Sequence, residues 1–224
     1  MESLLDRVGV RRPLSLRGVA KYRKGVIALL LVLGAAALGS LLLRPATVPD
    51  LAAGNASALA QMKADWAKGE MIVLVRHVER CDHSRAACLS AADGITDRAR
   101  SVAVGLGAQF ERLGLANADL YNSPLTRAVQ TSSYMFNSAT TGQDWLFHCK
   151  GTMLRDALAH KVPGRNLVLV THSECMAELE KQLKVSTATL GYGAALFLTT
   201  DKGNAHAHLL GSLEATDWRS VFAR

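Results

Sequence analysis

The feature that most constrains this chain is a run of 19 residues without a charge, from Gly25 to Leu43. As a helix rising about 1.5 Å per residue the run would be about 28 Å long, which is close to the roughly 30 Å hydrocarbon core of a bilayer. Seven Lys/Arg precede the run and Arg44 follows it, so the positive-inside rule predicts a cytoplasmic N-terminus and an exported remainder. The sequence therefore predicts a basic cytoplasmic segment at 1–24 and a transmembrane signal anchor at 25–43.

A cleaved signal peptide is the main alternative for this run. Ala37-Leu38-Gly39 offers a small-residue cleavage site, although the basic part would be 24 residues long and more apolar residues follow the site. A buried core helix is disfavoured because no charge interrupts any face of the run. The anchor and the cleaved signal both export the residues that follow.

The net charge of +7 is unevenly distributed over the 224 residues. Residues 1–44 hold eight Lys/Arg and two acidic residues, whereas the other 180 residues hold 18 basic and 17 acidic side chains. Nucleic-acid-binding proteins carry basic charge on the folded domain, and single-strand binders stack bases on aromatic rings. Aromatic residues make up only 5% of this chain, so we expect no nucleic-acid partner.

The residues after the anchor are expected to form a tether and then one domain. Pro45 and Gly54 interrupt regular structure in the tether, residues 44–69. Within it, Leu59–Lys68 is predicted as one short helix. Residues 70–224 are enough for a single domain of ordinary size.

Strands and helices alternate along the predicted domain. Runs rich in branched apolar residues at Met71–Val75 and Asn166–Val170 are typical of buried parallel strands. Further strands are predicted at Ala118–Tyr121, Asp144–His148, Gly193–Thr199 and His206–Leu210. Helices are predicted at Thr96–Leu113, Pro124–Phe136 and Ser173–Lys184. This alternation favours an α/β fold, a three-layer α/β/α sandwich with a mainly parallel sheet, preceded by one N-terminal transmembrane helix.

Charged side chains follow the predicted strands where those strands end. The first strand ends in Arg76-His77, with Arg80 three residues further on, and the second clear strand ends in His172. Arg127 follows the short strand between them. Because the carboxyl ends of parallel strands meet at one edge of a sheet, we expect two histidines and three arginines to converge there.

Such a set of side chains suits a phosphoryl group. Arginine matches phosphoryl oxygens in bidentate geometry and remains charged, and a neutral imidazole is a competent nucleophile near neutral pH. In phosphoryl transfer the protein mostly positions the group and stabilises its charge. The pattern therefore predicts phosphohistidine chemistry, with no metal and no cofactor expected.

At these strand ends the chain resembles the histidine phosphatase superfamily, with its phosphoglycerate-mutase-like fold. The resemblance implies that His77 takes the phosphoryl group and that Arg76 before it holds that group. It also implies that Arg80 and Arg127 bind phosphoryl oxygens and that His172 contacts the phosphoryl group.

Within the superfamily the chain is more similar to exported members that remove phosphate from a lipopolysaccharide core heptose. The similarity lies in the segments Arg76-His77-x-Glu79-Arg80-Cys81-Asp82 and Cys88-Leu89-Ser90 and in cysteines at positions 149 and 175. It implies a Gram-negative envelope protein whose partner is a phosphorylated sugar or lipopolysaccharide substrate. The implied location is the bacterial inner membrane, single pass, with the catalytic domain in the periplasm. A soluble periplasmic protein after signal cleavage is the alternative.

One departure from the superfamily pattern concerns the general acid. Many members protonate the leaving oxygen with a glutamate in a Leu-x-Glu pattern, whereas this chain has Leu146-Phe147-His148. The possible acids are Glu79, Asp82, Glu174 and His148, of which Glu79 and Glu174 are favoured.

This departure also keeps two other functions open. One is an inactive member of the same fold that binds phosphate, since the usual carboxylate is missing. The other is a phosphatase for another exported phosphorylated sugar or lipid, which fits the same residues.

Four cysteines, all in the exported part, fit an oxidising compartment. Cys81 and Cys88 flank a short loop, so we favour the pairs Cys81–Cys88 and Cys149–Cys175. A zinc site built from Cys81, His83 and Cys88 is the less favoured alternative, because the spacing lacks a second tight pair of ligands.

Overall fold

The computed structural model describes residues 17–42, 46–138, 140–186, 189–201, 203 and 205–222. The chain divides into two compact units, Met1–Arg44 and Pro45–Arg224. In the first unit, helix α1 (Arg17–Leu42) contains the 21-residue stretch Tyr22–Leu42, which has a mean hydropathy of 2.5 and is not buried. By length and composition this helix can cross a membrane, and a signal sequence meets the same description.

A six-stranded sheet forms the centre of the second unit. Its strands are β2 (Met71–Arg76), β3 (Ala118–Asn122), β4 (Thr141–Gly142), β5 (Asn166–Thr171), β7 (Ala195–Thr200) and β8 (Ala207–Leu213). Their order is β4-β3-β5-β2-β7-β8, in which the first four strands are parallel and the last two pair antiparallel. A separate parallel pair joins β1 (Ala46–Thr47) to β6 (Val185–Ser186).

Helices cover both faces of this sheet. They are α2 (Ala56–Lys68), α3 (Ala99–Leu113), α4 (Thr126–Phe136), α5 (Met153–His160), α6 (Ser173–Leu183) and α7 (Trp218–Phe222). Alternate residues of a strand point to opposite faces. Val73 and Val75 of β2 therefore pack with α2, α3, α4 and α7, whereas Ile72 and Leu74 pack with α5 and α6. The predicted three-layer sandwich with a mainly parallel sheet is confirmed.

The segment expected to be a tether is part of the compact unit. Leu51 is buried against the core, and Met62 and Trp66 of α2 are buried with it. The Trp66 indole N–H donates to the carbonyl of Leu113, at 2.8 Å, at the end of α3. The described residues of this segment therefore belong to the same compact unit as the sheet, because their apolar side chains complete one of its two cores.

Two local expectations also differ from the structure. Asp144–His148 is not a strand but contains a 3-10 helix at Asp144–Leu146, in which Leu146 is buried while Phe147 beside it is exposed. The edge strand is β4, just before it. Helix α5 was not expected from the sequence pattern.

Helices α3 and α4 contact each other closely at Gly107. A Cβ at this position would collide with the backbone carbonyl of Met135, so we expect Gly107→Ala to lower the free energy of unfolding by about 2 kcal/mol or more. A Cβ at Gly105 on the same helix would have no neighbour within 4 Å, so Gly105→Ala should leave stability unchanged or raise it by up to about 1 kcal/mol. Urea unfolding followed by tryptophan fluorescence compares the two, and equal effects would contradict the packing argument.

Candidate active site

Parallel pairing of β2 with β5 brings the two predicted histidines together. The register places Arg76 opposite Thr171, and the His77 N–H donates to the Thr171 carbonyl at 2.9 Å. The next residues along each strand, His77 and His172, have ring centroids 5.3 Å apart. Both side chains are 3% exposed, so the pair forms the buried floor of the candidate site.

A hydrogen bond to the Val78 carbonyl fixes which ring nitrogen of His77 carries the proton. Nδ1 lies 2.8 Å from the carbonyl oxygen of Val78, and a carbonyl only accepts, so Nδ1–H is the donor. In the neutral ring Nε2 then keeps its lone pair. Val78 is held in turn by Thr131 of α4, whose hydroxyl accepts from the Val78 N–H at 3.2 Å. The Nε2 atom of His77 is therefore oriented through the backbone after β2.

His172 is oriented by a residue that the sequence pattern did not single out. Its Nε2 lies 2.7 Å from the hydroxyl of Ser123, a fully buried residue directly after β3. The Ser123 N–H donates to the Val170 carbonyl at 2.9 Å, which fixes the serine against β5. Nδ1 of His172 is buried without a hydrogen-bond partner within the described part of the chain.

Burial keeps both imidazoles neutral. Desolvation, together with His172, Arg127 and Arg76, lowers the pKa of His77 to about 3, against the opposing effect of its bond to Val78. Desolvation and then Arg127 lower the pKa of His172 to about 4. A charged ring would lose hydration and lie near fixed cations, so the neutral form is favoured at neutral pH.

Arg76 is held at the end of β2 by the loop before β7. Its Nη1 donates to the Leu190 carbonyl at 2.6 Å, and its guanidinium carbon lies 4.2 Å from the ring centroid of Tyr192. The Tyr192 ring is also 5.6 Å from that of His77. Neither Leu190 nor Tyr192 belongs to a recognisable sequence motif. The antiparallel pairing of β7 with β2 brings the loop that contains them to the site.

Arg127 lies in the first turn of α4, as predicted. Its Nε and that of Arg76 are both buried without a hydrogen-bond partner among the described residues. Burial, and then the charge of Arg80, lower the pKa of Arg127. Two half-buried guanidinium groups, each with a buried Nε that has no hydrogen-bond partner among the described residues, lie beside neutral histidines and form a site that favours an anion.

Arg80 is already engaged. Both its Nε and its Nη2 donate to the carboxylate of Asp82, which raises the pKa of Arg80 and lowers that of Asp82. The electrostatic neighbours of Arg80 include Glu174 and Tyr192, so it lies near the other site residues while bound to its own loop.

The two favoured acids have different surroundings. Glu79 accepts from Arg98 Nε at 2.7 Å and from the Thr96 hydroxyl at 2.8 Å, and mainly Arg98 lowers its pKa to about 2. Such a carboxylate is held as an anion by a fixed ion pair, which is unfavourable for a proton donor.

Glu174 is exposed in the first turn of α6, next to His172. Burial raises its pKa, but its own backbone N–H, Ser173, His172 and Arg127 outweigh this and lower it.

Both favoured disulfides are present. Cys81–Cys88, with Cα atoms 5.2 Å apart, closes a loop that contains Asp82 and begins directly after Arg80. Cys149–Cys175, with Cα atoms 5.5 Å apart, joins the segment after the 3-10 helix to α6. Since Cys81 and Cys88 are bonded to each other, the alternative zinc site with His83 is not formed.

Comparison with known proteins identifies phosphatases. No family model matches the sequence. The lipopolysaccharide core heptose(II)-phosphate phosphatases of Escherichia coli O1:K1 and of Escherichia coli O45:K1 strain S88 are each 31% identical to it over 139 residues, which is 61% of this chain and 69% of theirs. The protein histidine phosphatase SixA complexed with tungstate matches with a TM-score of 0.50 at 13% identity, covering 65% of this chain and 97% of that one. This last likeness concerns the fold alone.

The buried histidines give a prediction for their titration. Because the pKa values of His77 and His172 are lowered to about 3 and about 4, ring carbon and nitrogen NMR shifts of both should remain those of neutral imidazole from pH 8 to about pH 5. Single alanine variants of the two residues assign the signals. A protonation midpoint near pH 6.5 for either ring would contradict the burial argument.

Proposed function

This chain belongs to the histidine phosphatase superfamily, in the family of the lipopolysaccharide core heptose(II)-phosphate phosphatases, and we propose that it hydrolyses a phosphomonoester through a phosphohistidine on His77. The observation that carries the proposal is the hydrogen bond from His77 Nδ1–H to the Val78 carbonyl. It leaves a lone pair on Nε2 of a neutral ring beside two arginines with open donors.

In the proposed reaction, His77 Nε2 attacks phosphorus in line as the bond from phosphorus to the substrate oxygen breaks. The leaving oxygen takes a proton from an acid and departs as an alcohol. Water then gives a proton back to the carboxylate left by the first step and attacks phosphorus. The P–N bond breaks, and inorganic phosphate leaves while His77 returns to its neutral form. Splitting one difficult displacement into two easier ones is the usual advantage of covalent catalysis.

Charge stabilisation is assigned to the side chains around the histidine pair. Arg76 and Arg127 offer buried donors without partners among the described residues, and such preorganised donors stabilise charge that develops in the transition state. We assign to His172, whose ring centroid lies 5.3 Å from that of His77, a contact with the same phosphoryl group. Arg80, held by Asp82, adds a third positive charge nearby.

The proposed general acid is Glu174 rather than Glu79. Glu174 is exposed and is an electrostatic neighbour of His172, Arg127 and Arg80. An incoming phosphoryl dianion places negative charge near these side chains, which raises the pKa of a neighbouring carboxyl group and favours its protonated form. Glu79 is fixed by Arg98 instead.

The proposed substrate is a phosphate on a heptose of the lipopolysaccharide core. The named relatives act on that sugar, and the apolar N-terminal helix with two disulfides in the following unit supports an envelope location. We place the chain in the bacterial inner membrane with its phosphatase domain in the periplasm. A periplasmic protein released by signal cleavage would meet the same substrate.

Trapping the intermediate tests the nucleophile. Full-length protein in detergent, quenched with base after brief exposure to a radiolabelled sugar phosphate, should retain label on His77. His77→Ala should retain none and should lower kcat/KM by about a thousandfold or more. His208→Ala, a change at an exposed histidine on β8, is the matched control. Full activity of His77→Ala would overturn the proposal, and phosphate binding without turnover by the parent would favour the inactive phosphate-binding alternative.

Leaving-group dependence tests the acid. Glu174→Gln should lower kcat/KM for an alkyl or sugar phosphate by about a hundredfold or more. For an aryl phosphate the same variant should lower kcat/KM much less, because the leaving oxygen needs little protonation. Glu79→Gln should change kcat/KM for both substrates by the same factor, since it breaks an ion pair rather than removing a proton donor. The reverse pattern between the two variants would assign the acid to Glu79.

A further inference from the structure

Phe147 is an exposed aromatic ring at the edge of the histidine pair. Its ring centroid lies 6.0 Å from that of His172, at an interplanar angle of 78°. Phe147 nevertheless remains 44% exposed. A single exposed apolar residue needs no explanation by itself. The position of this one is informative, because a phosphoester that contacts His172 must place its leaving group within a few bonds of that histidine.

The segment that carries Phe147 is held in place from three sides. The Phe147 N–H donates to the Asp144 carbonyl at 3.0 Å and closes the 3-10 helix. The Thr171 hydroxyl, at the end of β5, donates to the Leu146 carbonyl at 2.8 Å. The Cys149–Cys175 disulfide then fixes the chain to α6 two residues further on. A surface that is already ordered loses little conformational entropy when a ligand covers it.

The chemistry of this ring points to a cyclic sugar. An aromatic face carries negative charge density and attracts the weakly positive C–H groups that a pyranose presents on one face. The charged groups nearby bind the phosphate but offer nothing to those C–H groups. Small-molecule sites commonly combine an apolar or aromatic wall with a few polar groups that fix orientation, and Phe147 provides such a wall beside His172.

We propose that Phe147 is the platform on which the sugar ring of the substrate stacks, and that it selects phosphates of pyranose rings over phosphates of acyclic alcohols. This rests on the proposed function, whose substrate class it specifies. Phe147 lies directly before His148, the position at which the superfamily pattern has its carboxylate. The segment therefore contributes to recognition of the leaving group instead of to its protonation.

Binding measurements on a full-length His77→Ala background test the platform without turnover. The probes are methyl mannopyranoside 4-phosphate, the acyclic secondary ester glycerol 2-phosphate, and inorganic phosphate, each titrated by calorimetry. Phe147→Ala should raise the Kd of the mannopyranoside about tenfold, with the other two Kd values changed by less than about twofold. Phe147→Trp should preserve the preference, and Phe147→Leu, which keeps apolar bulk without an aromatic face, should lose it.

Val162→Ala is the matched control, because Val162 is a comparably exposed apolar residue, 45% exposed, in the loop after α5. It should change none of the three Kd values. Retained affinity for inorganic phosphate shows that a variant is folded with an intact phosphate pocket. If Phe147→Leu and Phe147→Ala raised the Kd of all three probes by the same factor, the role of Phe147 would be to support His172. An unchanged Kd for the mannopyranoside would show that Phe147 does not contact the substrate. Either result overturns the platform.

Turnover by the same Phe147 variants with His77 restored separates this inference from the proposed function. Selective binding of the mannopyranoside without hydrolysis or phosphohistidine by any variant would retain the platform and reject the phosphatase mechanism. Hydrolysis by both the parent and Phe147→Ala, with the same ratio of kcat/KM between the cyclic and the acyclic ester in each, would retain the phosphatase mechanism and reject the platform.

Discussion

Parallel pairing of β2 with β5 is the contact on which the site depends. It sets Arg76 opposite Thr171, so the residues that follow, His77 and His172, leave the sheet side by side at its carboxyl edge. Buried hydrophobic residues on both faces of the two strands fix this register, because a slip by one residue would turn each strand's side chains to the wrong layer. The remaining parts of the site, Arg127 on α4 and the loop with Tyr192, are attached to this pair.

Burial keeps the two histidines neutral, and it lowers the stability of the fold because some buried polar atoms lack partners in the described part of the chain. Desolvation keeps His77 and His172 neutral, while Arg76 and Arg127 have buried nitrogens without partners among the described residues. Unsatisfied buried donors are costly unless a ligand completes them. The surrounding structure therefore has to be well braced, and the two disulfides, one beside each histidine-bearing strand end, brace the segments that a phosphorylated ligand would contact.

Carboxylates near the site differ in availability because of their partners. Glu79 is held by Arg98 and Thr96, and Asp82, in the loop closed by Cys81–Cys88, is held by Arg80. Glu174, at the start of α6, has no comparable bidentate arginine among the described residues. The aromatic rings show a similar division, since Tyr192 supports Arg76 while Phe147 leaves much of its surface to solvent.

Local patterns in the sequence were sufficient to predict the sheet's central strands, the order of the histidine and arginine motifs at their ends, and the pairing of the cysteines. These features follow from apolar runs, strand-end positions and the short loop between Cys81 and Cys88, which leaves Cys149 and Cys175 as the second pair. Long-range packing was needed to show that Ser123 orients His172 and that Arg98 holds Glu79. It was also needed to show that Leu190 and Tyr192 hold Arg76, and that residues 46–68 complete a core. Each of these contacts joins residues far apart in the chain or depends on side-chain direction, and no local pattern encodes the distance between two side chains that meet only after the sheet has formed.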